Sequence, residues 1–331
     1  MGLFRRKNEP TPPPPPTGPA IDSCQGDQAA RFLRAAMERR DWPTARDFLS
    51  SITDRDDHAF YLSICADVPG VQDWIRQWVE AEPQSTLPRL VQGVHAVYWA
   101  WEARGADYAD RTPQAQLELF FNRVVFADNC LHEVAERDPY DTTARAFLLN
   151  SGIGRQVDLT EQGRRFTEVL KRHPQHKWAH GAMLQYLCEK WHGSHDQMFA
   201  FARHTSHNAP PGSPLHGAIA EAHIEKYLDL GRTGAAAGYL EQPEVGAELL
   251  AAAERSVFHP AYQRRPGWPR LHNSFAFVLH RADQYQAAYR LYKEIGDDYI
   301  TEHPWDYYNT EQPLDFFLLN RQTLYTWIEQ Q

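Results

Sequence analysis

Apolar residues recur three to four positions apart through most of this chain, which is the spacing of one face of an α-helix. Leu33 and Met37 belong to one such stripe and Leu49 belongs to the next, with the helix-breaking residues 41–43 between them. Alternating apolar and polar positions of strand length do not stand out, and the hairpin dipeptides Asn-Gly and Asp-Gly are absent from the sequence. The pattern predicts an all-α protein with more than half of residues 23–331 in helices.

The turn at residues 190–194 indicates how two of these helices are joined. Gly193 can adopt the left-handed conformation that ends a helix, so we expect it to have a positive φ. Ser194 and Gln197 have the spacing of a capping box, which predicts that the next helix begins here. Two helices joined by so short a turn must pack antiparallel.

Other helix starts carry similar signals. Asp158 with Glu161 has the spacing of a second capping box, and Thr112 precedes a proline at the first helical position, Pro113. We expect the helix after Pro113 to be the longest of the chain. Its apolar stripe comprises Leu117, Phe120, Phe121, Val124, Val125 and Leu131.

A repeat pattern suggests how the helices are arranged. Residues 282–295 resemble the second helix of a tetratricopeptide unit, with the small Ala288 four positions before the aromatic Tyr292. Several prolines are spaced at intervals close to the roughly 34 residues of such a repeat. We therefore predict that residues 23–331 form one helical repeat domain, a tetratricopeptide-like α-solenoid of stacked antiparallel hairpins.

The first 22 residues have a different character. They begin with basic residues and continue into an unbroken run of prolines at 12–16, which favours the polyproline II conformation. No apolar stretch follows the basic residues, so we expect no secretory signal. We predict that 1–22 form a disordered, basic and proline-rich tail; the alternative is a proline-rich ligand for an aromatic groove.

Net charge, cysteine spacing and the length of apolar runs exclude several classes of function. The net charge of −9 and the isoelectric point near 6.0 argue against a nucleic-acid-binding protein and favour a basic partner. The four cysteines include no C-x-x-C pair, so neither a disulfide framework nor a zinc cluster is indicated and a reducing cytoplasm fits. No run of about 18 apolar residues is present, so we expect no membrane span.

Two short segments carry a family resemblance. Residues 99–105 read W-A-W-E-A-R-G, and residues 190–194 read K-W-H-G-S. With both in place, the chain resembles an uncharacterised bacterial family of helical proteins whose members carry an A-W-x-x-R-G helix end and a W-G-G-S turn. The resemblance covers roughly residues 70–230 and implies a helical fold but no activity. His192 stands where the family has the first glycine of its turn.

The same segments contain candidate partner-binding residues. Trp101 and Trp191 each lie near a predicted helix end, where a large ring can cover the joint between helices. Arg104 is a cation at a helix C-terminus, a position that the helix dipole favours. The alternative to this structural role is a ligand or partner surface formed where the two turns meet.

Histidines suggest one catalytic alternative. Nine of the sixteen lie between His173 and His223, and Glu189 with His192 has the E-x-x-H spacing of metal-binding helices. His195 could join them, which gives a candidate metal site and a metal-dependent enzyme. No nucleophile elbow, phosphate loop or dinucleotide motif is present, so we expect no cofactor and do not favour an enzyme.

An acidic, aromatic segment near the C-terminus is a candidate for binding. Residues 294–315 contain seven acidic side chains and no lysine or arginine. Such a surface suits a basic or amphipathic partner, because rings give contact area and carboxylates set orientation. The alternative is that the rings pack the last helix, 314–328, onto the stack. The central residues of the segment are Trp305, Asp306, Tyr307 and Tyr308.

These observations leave three functions open. The first is a cytoplasmic adaptor that presents a concave helical surface to a peptide or protein. The second is a metal-dependent enzyme centred on Glu189, His192 and His195. The third is an acidic inhibitor of a basic toxin or nuclease, for which the net charge is the only support.

Overall fold

The computed structural model describes residues 18–105, 112–308 and 311–331. Within these ranges it contains fifteen α-helices and no strand, so the prediction of an all-α protein is confirmed. The helices are α1 (Gln28–Glu38), α2 (Trp42–Ser51), α3 (Arg55–Ala66), α4 (Ile75–Ala81), α5 (Leu87–Arg104), α6 (Gln114–Arg137), α7 (Thr142–Gly154), α8 (Leu159–Leu170), α9 (Lys177–Tyr186), α10 (His195–Asn208), α11 (Ala218–Thr233), α12 (Pro243–Arg255), α13 (Trp268–Arg281), α14 (Tyr285–Ile295) and α15 (Pro313–Glu329). Three short 3₁₀ helices are Val71–Asp73, Pro214–Gly217 and Trp305–Tyr307.

Short polar side chains begin many of the helices. Each carboxylate or hydroxyl accepts a hydrogen bond from a backbone N–H of the first turn, which has no partner inside the helix. Asp158 accepts from the Glu161 N–H at 2.8 Å, as predicted. Gly105, with a φ of 69°, ends α5, and α6 is the longest helix among the described residues at 24 residues.

The turn before α10 confirms one prediction and corrects another. The Ser194 hydroxyl accepts from the Gln197 N–H at 3.2 Å, so α10 begins as predicted. Gly193 does not have a positive φ, because α9 already ends at Tyr186 and Gly193 lies beyond that helix end. A Cβ atom on Gly193 would lie 2.1 Å from the Leu187 carbonyl oxygen. Glycine is therefore required for a close backbone approach.

Consecutive helices pack against each other through most of the chain, and α5 with α6 is the most extensive pair. Gly93 permits this approach, since a Cβ there would lie 3.0 Å from the Leu131 side chain. Ala288 and Tyr292 of α14 are both fully buried. The apolar core has two large clusters, one drawn from residues 24–148 and the other from residues 153–324.

The first and last parts of the chain also meet. Ile21 and Ile300 form an isolated parallel β-bridge, and Arg265 forms ion pairs with Asp54 at 3.1 Å and with Asp57. In a linear solenoid each repeat contacts only its neighbours. A simple linear solenoid does not account for these end-to-end contacts.

The last residues of the predicted tail contact the helical part of the chain. Residues 1–17 lie outside the described ranges, but Ile21 and Asp22 belong to the fold. The Asp22 carboxylate accepts from the backbone N–H groups of Cys24 and Gly26 and pairs with Arg31 at 2.6 Å. None of the helices in the described ranges has both the length and the apolar character needed to cross a bilayer.

Candidate functional site

The two tryptophan-bearing segments meet in space. Trp101 lies near the end of α5 and Trp191 lies in the turn after α9, and their ring centroids are 5.3 Å apart in an edge-to-face arrangement. The Arg104 guanidinium carbon lies 5.3 Å from the centroid of the Trp191 ring. Three of the predicted partner-binding residues therefore form one cluster. Both tryptophans are half-buried.

Trp101 also links the two core clusters, since its ring packs against both. On its other side it contacts Phe120 of α6, with ring centroids 4.9 Å apart. Phe120 contacts Phe121 at 5.4 Å, and Phe121 is 39% exposed. A continuous series of rings thus runs from the turn at Trp191 to the outer face of α6.

That outer face is unusually apolar for a helix exposed to solvent. Phe121 and Val125 are one turn apart and are 39% and 42% exposed. Leu119 and Phe126 are two turns apart and are 43% and 42% exposed. They lie roughly 130° around the helix from the first pair, with the exposed Asn122 between the two pairs. A surface helix normally places its apolar residues toward the core and polar residues outward. We call Leu119, Phe121, Val125 and Phe126 the α6 surface.

One exposed carboxylate, that of Glu118, lies beside the α6 surface. Glu118 is exposed on this side of the helix and accepts a hydrogen bond from Gln114 at 3.1 Å. Arg123 is the only lysine or arginine in the sequence between residues 114 and 131, and its side chain lies against α5. Its guanidinium donates to the Trp99 carbonyl at 2.7 Å and lies 3.6 Å from the centroid of the Trp99 ring.

The sequence pattern placed Phe121 and Val125 in the buried stripe of this helix, and that assignment is wrong. The buried stripe contains Phe120, Val124 and Leu131, whereas Phe121 and Val125 face solvent. One signal was available in the sequence. The helix carries more large apolar residues than a single stripe can hold.

The turn after α9 is also joined to the C-terminal segment. The Lys190 ammonium lies 2.7 Å from a carboxylate oxygen of Glu225 and 5.2 Å from the centroid of the Tyr307 ring. The Tyr307 hydroxyl donates to Glu225 at 3.3 Å, and Gln185 donates to the same carboxylate at 2.5 Å. Glu225 is only 4% exposed, so these bonds satisfy a buried charge.

The first ring of the 305–308 segment, a predicted partner-binding residue, lies in the core and not on the surface. Trp305 is fully buried and donates its indole N–H to the Asn273 side-chain oxygen at 2.9 Å. Tyr308 stacks on Phe277 at 4.6 Å and donates its hydroxyl to the Ile224 carbonyl. The 3₁₀ helix turns these rings inward onto α11 and α13, while Asp306 is only partly buried. The rings thus pack the C-terminal helices together, which was the alternative prediction.

The acidic side chains of 294–315 are partly neutralised within the fold. Glu294 pairs with Arg264 at 2.6 Å and with Arg290 at 3.2 Å. Hydrogen bonding to His272 and Arg264 lowers the pKa of Glu294 to about 2. Asp297 pairs with Arg321 at 2.8 Å. Two of the seven acidic side chains of the segment are therefore paired with arginines from outside it.

The predicted metal ligands do not come together. His192 stacks on Tyr186 and its Nε2 lies 3.2 Å from the Ile153 carbonyl oxygen, whereas His195 Nε2 lies 3.3 Å from Asp229. The Glu189 carboxylate accepts from the backbone N–H of His195 at 3.3 Å. Each of these three side chains therefore has its own separate partner. No three histidine, cysteine or acidic side chains in the described part of the chain are placed to hold a metal ion.

Comparisons with protein-family models, with curated proteins and with solved structures give no match for this chain. The resemblance of residues 99–105 and 190–194 to a helical family thus stays a prediction.

Proposed function

We propose that this protein is an all-α adaptor that binds another protein through the α6 surface and the adjoining Trp101–Trp191 cluster. The observation that carries the proposal is the α6 surface itself, with four large apolar side chains each about two-fifths exposed on one helix. They form two exposed apolar pairs on the solvent side of α6, and exposed apolar surface rimmed by polar residues marks sites of interaction. The bacterial, cytoplasmic setting and the helical-hairpin arrangement belong to the same proposal.

The chemistry of the surface suggests the shape of the partner. A partner helix with an apolar face can lie along α6, because apolar side chains one turn apart fit between those of a facing helix. Aromatic rings are enriched at the centres of interfaces, and the ring series from Phe121 to Trp191 extends the contact beyond α6. Glu118 would orient a partner that places a lysine or arginine opposite it.

The other two functions have less support. A metal-dependent enzyme needs Glu189, His192 and His195 to converge, and their side chains have separate partners. An acidic inhibitor of a basic toxin or nuclease agrees with the net charge of −9. The acids at 294–315 that would have formed its binding surface are partly paired internally, so this function rests on net charge alone.

A capture experiment with matched variants tests the proposal. Phe126→Glu places a charge on the α6 surface, and Tyr140→Glu places the same charge on a ring that is 75% exposed elsewhere. Tagged full-length proteins are recovered from the native cells, and bound proteins are quantified by mass spectrometry. We expect one partner to be retained by the wild type and by Tyr140→Glu and to be lost from Phe126→Glu.

Thermal melts by circular dichroism establish that both variants are folded, and sedimentation of the purified protein tests whether the partner is a second copy. Retention of the same bound proteins by a folded Phe126→Glu variant would contradict the proposal.

A further inference from the structure

A second site lies between the C-terminal end of α13 and the last helix, on different helices from the α6 surface. It is an open groove with a volume of about 310 Å³, within the range of small-ligand and peptide sites. Binding in this groove does not depend on the function proposed above. The residues that matter for its chemistry are Glu241, Arg281, Asp283, Phe316, Leu319 and Asn320.

Arg281 is the unusual member of this groove. Among the described residues it has no carboxylate partner within ion-pair distance, and its buried Nε–H has no acceptor. Its guanidinium carbon lies 5.6 Å from the ring centroids of both Phe277 and Phe316. Arg281 lines the groove, so an oxygen ligand that enters the groove would supply the partner that the guanidinium lacks among the described residues. Arginine presents parallel N–H groups that match the two oxygens of a carboxylate.

Arg281 is the one positively charged side chain among the described residues that line the groove. Burial and the nearby charge of Arg281 lower the pKa of His280 to about 4, so His280 is neutral near pH 7. The Asp283 carboxylate is engaged by a hydrogen bond from the Tyr285 hydroxyl. Glu241 is exposed at the rim and has no ion pair among the described residues. The groove thus offers one site for an anion and, at its edge, one for a cation.

The α15 side of the groove is apolar with one amide. Leu319 is 65% exposed and Phe316 is half-buried, and both line the space next to Arg281. Asn320 uses its amide N–H group to donate to the Phe316 carbonyl at 2.7 Å, which leaves its side-chain oxygen able to accept. An apolar group, an N–H donor and a carboxylate can therefore bind side by side.

We propose that this groove binds the C-terminal end of a peptide whose last side chain is apolar. The terminal carboxylate would accept hydrogen bonds from Arg281, and the last side chain would cover Leu319 and Phe316. A chain terminus fits because its carboxylate and its last side chain leave the same carbon atom, as the adjacent cation and apolar wall require. Glu241 at the rim favours a basic residue earlier in the peptide.

The test uses fluorescence anisotropy of the full-length protein with two fluorescein-labelled peptides, Gly-Lys-Ala-Leu with a free carboxylate and the same peptide as its amide. We expect the free acid to bind at least tenfold more tightly than the amide. Arg281→Gln should reduce binding of the acid to the level of the amide, and Leu319→Asn should weaken both peptides. N-acetyl-leucine should compete at least tenfold less well than the acid peptide, because it lacks the preceding residues.

Arg76→Gln is the matched control, because Arg76 lies outside the groove, is 83% exposed and pairs with Glu80. It should bind the acid peptide like the wild type. The proposal is overturned if the acid and the amide bind equally, if neither binds up to millimolar protein, or if a folded Arg281→Gln variant binds the acid like the wild type. If N-acetyl-leucine competes as well as the acid peptide, the groove binds small carboxylic acids, and the proposal of a peptide ligand is overturned.

Discussion

Trp305 is either a surface residue that anchors a partner or a core residue that stabilises the fold. The substitution Trp305→Ala distinguishes these two roles. The ring is fully buried, with centroid distances of 5.6 Å to Phe277 and 5.1 Å to Phe317. Truncation removes these contacts and leaves a cavity between α13 and α15. It also removes the indole N–H that donates to Asn273 at 2.9 Å.

The magnitude follows from these two losses. Replacing a buried large aromatic residue by alanine costs about 3–5 kcal/mol through lost transfer energy and the remaining cavity. Among the described residues, the Asn273 oxygen then keeps a long hydrogen bond from the Thr301 N–H at 3.5 Å. This weak replacement places the expected loss toward the upper end of that range. Trp305→Phe retains most of the ring and should cost about half as much or less.

Urea unfolding followed by circular dichroism measures the free energy of unfolding of each variant. Trp327→Ala is the control, because Trp327 is 40% exposed in the same C-terminal region and should cost far less. A loss below about 1 kcal/mol for Trp305→Ala would refute the assignment of this ring to the core. If Trp305→Ala keeps its stability but no longer binds a partner protein, the ring acts as a surface anchor.

Two further predictions concern the turn and the pH dependence. Gly193→Val should lower the free energy of unfolding by more than about 1 kcal/mol in denaturant melts, because its Cβ would lie 2.1 Å from the Leu187 carbonyl oxygen. Gly181→Ala, where a Cβ meets nothing within 4 Å, should leave stability unchanged or raise it, and equal effects of the two would contradict the close approach. Desolvation lowers the pKa of three histidines from 6.5 to about 4: the buried His176 and the half-buried His58 and His280. The unfolded chain takes up protons there that the folded chain does not, so the free energy of unfolding should fall as the pH drops from 6.5 to about 4. Burial raises the pKa of Asp141 to about 6, so this one group opposes the trend. A free energy of unfolding that stays constant or rises on acidification would show that the histidines are not desolvated as described.

Local structure was largely predictable from the sequence. Caps such as Ser194 and Asp158 act through hydrogen bonds within a few residues, so sequence spacing is enough to predict them. Gly193 could not be assigned correctly, because its role depends on where α9 ends and on how the turn packs back onto Leu187.

The candidate site was predictable only in part. Trp101 and Trp191 were expected to meet if the two turns meet, and their rings are in contact. Periodicity alone did not separate Phe120, which is buried, from Phe121, which is exposed, because both are apolar neighbours on one helix. The unpaired state of Arg281 depends on the tertiary positions of every nearby carboxylate, and no local pattern encodes those positions.

Site-specific photo-crosslinking tests the proposed interaction surface most directly. The photoreactive residue p-benzoylphenylalanine replaces Phe126, Trp191 or, as a control, Tyr140 in the full-length protein inside its native cells. We predict that positions 126 and 191 cross-link to the same protein on irradiation and that position 140 does not. No adduct at position 126 above the level at position 140, or different proteins at positions 126 and 191, would contradict a single surface that joins α6 to the turn after α9.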